Sequence, residues 1–162
     1  MRLRRAFVVA AIGLASGCGF ELRRAPELQF RTLQLRGFKD DSPLARELKR
    51  SLAASRTTVV EAGAGAQVVL EALSDERAKS VVASTAAGQV RELQLRARFH
   101  FRLRGATGKE LLPATEILLT RDLSYNETNA LAKEQEEMAL YAAMQNDIVA
   151  QVMRRLAAIS AL

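Results

Sequence analysis

The sequence predicts an α+β fold: a two-layer sandwich with two helices packed on one face of a long, mostly antiparallel or mixed four-stranded sheet. Three observations carry that prediction. From Arg91 to Leu103, apolar Leu93, Leu95, Ala97, Phe99, Phe101 and Leu103 alternate with polar Glu92, Gln94, Arg96, Arg98, His100 and Arg102, a row that Arg104 continues. That period of two marks a strand with one buried face. Leu44, Leu48 and Leu52 recur every fourth residue, giving a helix a single apolar stripe. Beyond Asn126, residues Leu131, Met138, Tyr141, Ile148, Val152, Leu156 and Ile159 line one side of a final helical pattern. At roughly 1.5 Å per residue a helix of about thirty residues runs about 45 Å. A strand of about thirteen residues at roughly 3.3 Å each reaches nearly as far. A long sheet covered by helices follows.

The elements come in this order. Residues 19–28 read as a tether. Phe30 to Arg36 forms a first strand, with Leu33 and Leu35 on one face and Thr32, Gln34 and Arg36 on the other. Ser42 then caps a helix and Pro43 fits its first position, where a missing N–H costs nothing. Gln67 to Leu73 and Lys79 to Ser84 are Val-rich and read as one long strand, interrupted or bulged near Ser74-Asp75-Glu76-Arg77. Ala86-Ala87-Gly88-Gln89 makes a hairpin tip. The alternating strand follows, then a turn over Gly105 to Gly108, then a strand from Lys109 to Leu123 around Ile117 and Leu119. Asn126 to Asn129 caps the last helix. Glu134, Glu136 and Glu137 near its start and Arg154 and Arg155 near its end both suit the helix dipole.

The 162 residues suffice for one compact domain. The formal charge is +6, but Arg2, Arg4 and Arg5 fall in an acid-free opening stretch. Without them, 21 basic residues face 18 acidic ones, a balance of +3. So mild an excess does not support a nucleic-acid partner. With one His, one Cys and no Trp, the chain can form no internal disulfide and no ordinary Cys/His zinc site. His100 would have to be the only imidazole base of any nucleophilic triad. No phosphate-binding loop, dinucleotide fingerprint or nucleophile elbow is present. Asp40-Asp41 reads as a turn before Ser42, and the chain is read as neither an enzyme nor a metal protein.

Residues 1–17 read as a signal peptide: a positive start, then an apolar run from Ala6 to Ile12 that is too short to span a bilayer. Ala15-Ser16-Gly17-Cys18 resembles a bacterial lipobox, with Ala15 at the usual Leu position and Leu14 one place further out. Cys18 is therefore the expected lipidation site, the only covalent group expected being its acyl and diacylglycerol chains. Two or more such chains make membrane attachment durable. Gly19, where Asp would favour inner-membrane retention, fits an outer-membrane address. The domain plan is 1–17 signal peptide, 18–28 lipidated N-terminus and tether, and 29–162 a single domain.

The polar row of Arg96, Arg98, Arg102 and Arg104 with His100 is open to two readings. It is a surface for an anionic partner, or a solvated face paired with acids on neighbouring strands such as Glu71 and Glu116. It lacks interleaved aromatic residues for base stacking.

Cys18-Gly19-Phe20-Glu21-Leu22-Arg23 resembles the start of mature LptE, the lipopolysaccharide-assembly lipoproteins. Ser42-Pro43-Leu44, Gly88-Gln89 with Glu92, and Tyr125-Asn126 followed by Ala130-Leu131-Ala132-Lys133 and Glu137 extend the resemblance. Asp147, Gln151 and Arg154-Arg155-Leu156 carry it to the end. The resemblance implies a non-enzymatic subunit that plugs the β-barrel LptD, supports its assembly and binds lipopolysaccharide at the outer membrane. It places Lys133 at a basic position used for the glycolipid. The hairpin tip, an Arg position in relatives, reads Ala86-Ala87, which puts phosphate binding there in doubt or moves it to Arg91. Arg96, Arg98 and Arg102 complete the candidate glycolipid set. The alternatives are a lipoprotein adaptor binding protein only, and a periplasmic hydrolase using Glu92 or Glu137 with His100.

Overall fold

The computed structural model describes residues 26–62 and 64–159. The expected signal peptide, Cys18 and the expected tether up to residue 25 lie outside the described residues. The elements are β1 (Thr32–Arg36), α1 (Pro43–Ala54), β2 (Thr58–Val59), β3 (Val68–Ser84), β4 (Val90–Gly105), β5 (Glu110–Ser124), a 3₁₀ turn (Glu127–Asn129) and α2 (Ala130–Ala157).

The sheet is mixed and has five strands in the order β2-β1-β3-β4-β5, not the four expected. The additional strand, β2, pairs in parallel with β1 through only two residues, Thr58 and Val59. So short a segment carries no period, and the sequence reading assigns it no element. β1 also runs parallel to β3, while β3, β4 and β5 form an antiparallel meander.

One face carries the core. Leu93, Leu95, Ala97, Phe99, Phe101 and Leu103 of β4 are buried, against Leu44, Leu48 and Leu52 of α1 and Tyr141, Met144, Ile148, Val152 and Leu156 of α2. The Phe99 ring stacks on Phe101 at 4.9 Å and on Phe38 at 5.7 Å, an arrangement favoured beyond simple area burial.

α1 starts where expected: Ser42 Oγ accepts from the Ala45 amide at 3.1 Å and donates to Asp75 Oδ2 at 2.9 Å. The cap thus fixes the helix start and ties it to β3. Within β3, pairing with β4 slips between Ala72 and Ser74, a β-bulge at Leu73. Before the bulge, Val68, Leu70 and Ala72 are buried beneath the helices. After it the phase reverses, and Asp75, Arg77 and Lys79 bond to groups at the helix layer. An extra residue in a period-two strand turns every later side chain to the other face.

The expected apolar stripe of the last helix holds only in part. Leu131 is 72% exposed and Met138 64% exposed. α1 has 12 residues and α2 has 28, so α1 flanks only the later turns of α2. Gln145 Nε2 bonds the Pro43 carbonyl oxygen at 3.1 Å, marking where α1 begins alongside.

Candidate functional site

The five basic candidates divide between the two faces of the sheet. Arg96, Arg98 and Arg102 lie on the open face of β4, away from the helices. Arg91 has the strand parity of Leu93 and Leu95, and Lys133 sits in the first turns of α2, so both belong to the helix-bearing side.

On the open face, acids pair with two of the three candidate arginines. Arg102 Nε meets Glu71 Oε2 at 2.7 Å, and Arg98 lies 2.7 Å from Glu76 Oε2 and 3.7 Å from Glu116 Oε2. The register creates these pairs, since Glu71 stands opposite Arg102 and Glu76 opposite Arg98, and such cross-strand pairs support the sheet. The Arg102 hydrogen bond holds the Glu71 carboxyl below its usual range, and Arg98 does the same for Glu76. The arginines are in turn raised by those carboxylates. Arg96 differs: Nε and Nη2 both bond Gln94 Oε1, at 2.9 and 2.7 Å, and no carboxylate pairs with it among the described residues. It lines a shallow cavity of about 250 Å³ with Arg98, Glu116 and Leu118. Of these three candidates, Arg96 keeps a charge free for an anion.

The other group gathers at the end of the sheet that bears the hairpin tip. The Tyr125 amide donates to the Arg91 carbonyl oxygen at 2.8 Å, and Glu92 pairs with Ser124 across β4 and β5. Lys133 Nζ lies 3.1 Å from Ser124 Oγ and 2.8 Å from Glu136 Oε2. Arg91 and Lys133 are thereby brought to one end by the close of β5, the Asn126 cap and the first turns of α2. The cap is local: Asn126 Oδ1 accepts from the Thr128 amide at 3.0 Å. The expected tip turn is present, with Gly88 at φ +79 and its amide bonded to the Thr85 carbonyl oxygen, a conformation that glycine adopts freely.

The same end exposes apolar side chains that the sequence reading assigned to the core or left unassigned. Leu131 and Met138 of α2 and Val81 of β3 are exposed beside this basic end. Val81 stands opposite Leu93 and so faces the helix side, where no helix covers it. Their exposure was readable by comparing helix lengths: a short first helix cannot flank the whole of a long last one.

Among known proteins, the family model LptE, described as lipopolysaccharide-assembly, matches residues 30–156. An uncharacterized lipoprotein B from Nitrosomonas europaea, solved by NMR, is 31% identical, with 86% of this chain and 91% of that one covered at a TM-score of 0.73. The rare lipoprotein B of Shewanella oneidensis shares the fold at 24% identity and a TM-score of 0.67, covering 78% and 94% of the two chains. A minor lipoprotein from Acinetobacter baumannii does so at 19% and 0.66, covering 81% and 93%. No curated protein matches significantly. With its family model spanning the whole sandwich from Phe30 to Leu156, the chain belongs to the lipopolysaccharide-assembly family LptE.

Proposed function

We propose that this chain is a non-enzymatic outer-membrane lipoprotein. It binds lipopolysaccharide through the end that carries Arg91 and Lys133, and it supports assembly of an LptD-type β-barrel as its plug. The observation that carries the glycolipid part is that those two cations and exposed Leu131, Met138 and Val81 lie towards the same end of the sheet. A glycolipid presents phosphates beside acyl chains, and a surface pairing cations with bare apolar area answers both. Arg96 offers a second anion contact on the open face. The charged and polar open face, with its short ion pairs, suits the polar interior of a barrel. Attachment to the membrane is assigned to acyl chains on Cys18, the lipobox cysteine of the sequence.

Binding of lipopolysaccharide to the purified chain tests the site. Arg91→Glu with Lys133→Glu is expected to weaken binding at least tenfold at matched salt. Arg98→Glu, which leaves Glu76 and Glu116 without their cation, is expected to act on stability instead. Unchanged binding in the double variant would remove that end from the site. Pull-down from detergent-solubilised outer membrane tests the partner: a large β-barrel in a one-to-one ratio is expected, and a barrel-free preparation would favour an adaptor that binds other proteins.

A further inference from the structure

The opposite end of the sheet carries a separate group of cations. Arg31 precedes β1, Lys49 lies on the outer side of α1, and Arg56 follows its last turn. Arg56 lines two adjoining cavities. One, of about 420 Å³, it shares with Lys49, Thr57 and Thr58; the other, of about 470 Å³, it shares with Pro26 and Arg31. The three basic residues thus form one continuous collar, all of them exposed. None is paired with a carboxylate among the described residues, and Glu27 is the one acid lining the two cavities. Arg56 holds φ +59, a backbone conformation in which glycine would be unstrained and a long cationic side chain is uncommon.

The chain also enters the domain at this end. Pro26 lines the collar, and only residues 19–25 separate it from Cys18. That length of chain reaches at most about 28 Å when fully extended.

We propose that the collar of Arg31, Lys49 and Arg56 docks on an anionic phospholipid surface, the leaflet that holds the acyl chains of Cys18. The inference rests on Cys18 being lipidated. Acyl chains hold a protein at a membrane without orienting it, whereas basic residues next to the anchor add electrostatic attraction to anionic headgroups. The 17 residues of β3, at roughly 3.3 Å each, separate the collar from the Arg91 and Lys133 end by about 50 Å. The anchor end and the glycolipid end become distinct, and the strand length sets their separation.

The test uses the chain from residue 18 onward with Cys18→Ser, which keeps the whole core from Phe30 to Ile159. Flotation with vesicles of phosphatidylglycerol and phosphatidylethanolamine is compared with phosphatidylcholine alone. Binding to the anionic vesicles only, weakened by salt, is expected. Each basic side chain near such a surface contributes about fivefold in partitioning. Arg31→Gln, Lys49→Gln and Arg56→Gly together should therefore cost on the order of a hundredfold. Circular dichroism checks the fold of the triple variant; if it is unfolded, the single changes Arg31→Gln and Lys49→Gln serve, each with its fivefold loss. Absence of binding by the parent chain would overturn the proposal, as would equal binding to phosphatidylcholine. So would a loss that follows Arg91→Gln and Lys133→Gln instead. Neither the barrel nor free glycolipid takes part in this assay, so its failure leaves the proposed function standing, and failure of that function leaves this result standing.

Discussion

The Tyr141 hydroxyl donates a hydrogen bond to the Ala78 carbonyl oxygen at 2.8 Å, joining α2 to a part of β3 that has only one neighbouring strand. β1 pairs with β3 through Val68 to Glu71 alone, so among the described residues everything beyond is supported laterally only by β4. Three successive turns of α2 secure that stretch. Glu137 meets Lys79 at 2.8 Å, Tyr141 meets Ala78, and Gln145 accepts from Arg77 at 2.6 Å. The Arg77 guanidinium also lies 5.3 Å from the Tyr141 ring centre. Free strand edges invite unwanted pairing, and side-chain stitching with charged residues restrains them.

Tyr141→Phe should therefore cost about 1 kcal/mol, the net worth of one partly buried hydrogen bond. The ring and its packing remain, so the change isolates the hydroxyl. Urea unfolding with an unchanged m-value measures it. A cost near zero would mean that water satisfies the Ala78 carbonyl equally well.

Gly37 predicts a larger effect. Its φ is +79, and a Cβ placed there would lie 2.3 Å from the Ala72 carbonyl oxygen, at the edge of the β3 bulge. Gly37→Ala meets both backbone strain and a clash with rigid main chain, and should destabilise by at least about 2 kcal/mol. Gly88 has the same φ with nothing within 4 Å of its Cβ position, so Gly88→Ala should cost about 1 kcal/mol through strain alone. Equal costs at the two sites, read from thermal unfolding, would show that the approach of Gly37 to Ala72 is not a constraint.

Stability should fall at both ends of the pH range, for different reasons. Glu71 and Glu76 titrate below their ordinary 4.5 because Arg102 and Arg98 hydrogen-bond to them. A depressed carboxylate stabilises the fold above its unfolded value and loses that contribution as pH falls. The double change Glu71→Gln with Glu76→Gln should flatten the acid limb of the urea midpoint. At high pH the Glu137 hydrogen bond holds Lys79 above its ordinary 10.5, and burial lifts Tyr141 above 10.0. Both contributions are complete below those values and are lost as pH rises past them, so the fold weakens beyond about pH 10. Lys79→Gln with Tyr141→Phe should flatten that limb, with phenolate absorbance reporting the ionisation.

The clean alternation of β4 and the Leu44, Leu48 and Leu52 stripe were legible because each is a full period repeated against one covering layer. Two features were not. β2 is two residues long, and a parallel ladder that short leaves no pattern. The Leu73 bulge was placed near the right residues, but its consequence was hidden: it turns Asp75, Arg77 and Lys79 towards the helices, where polar partners on α2 and Ser42 receive them. The basic candidates show the same limit. Alternation put Arg96, Arg98 and Arg102 on one face with Glu71 and Glu116 as candidate acids, but only cross-strand register assigned Glu71 to Arg102, added Glu76 for Arg98 and left Arg96 with an amide partner.

Leu131 and Met138 separate a stability role from a binding role. Their spacing fits the core stripe of α2, yet their exposure means that little apolar area returns to water when they are made polar. Leu131→Ser with Met138→Ser should change unfolding free energy by no more than about 1 kcal/mol, most of it lost helix propensity. A core change such as Phe99→Ala, which removes a fully buried ring, should instead cost about 3–5 kcal/mol. If the exposed pair receives acyl chains beside Arg91 and Lys133, the double serine variant should bind lipopolysaccharide several-fold more weakly at unchanged stability. Its binding to a deacylated glycolipid that keeps the phosphates should be unaltered, since the cations remain. Equal loss for both ligands would show that the apolar pair acts by positioning the cations, and no loss for either would confine the site to its charges.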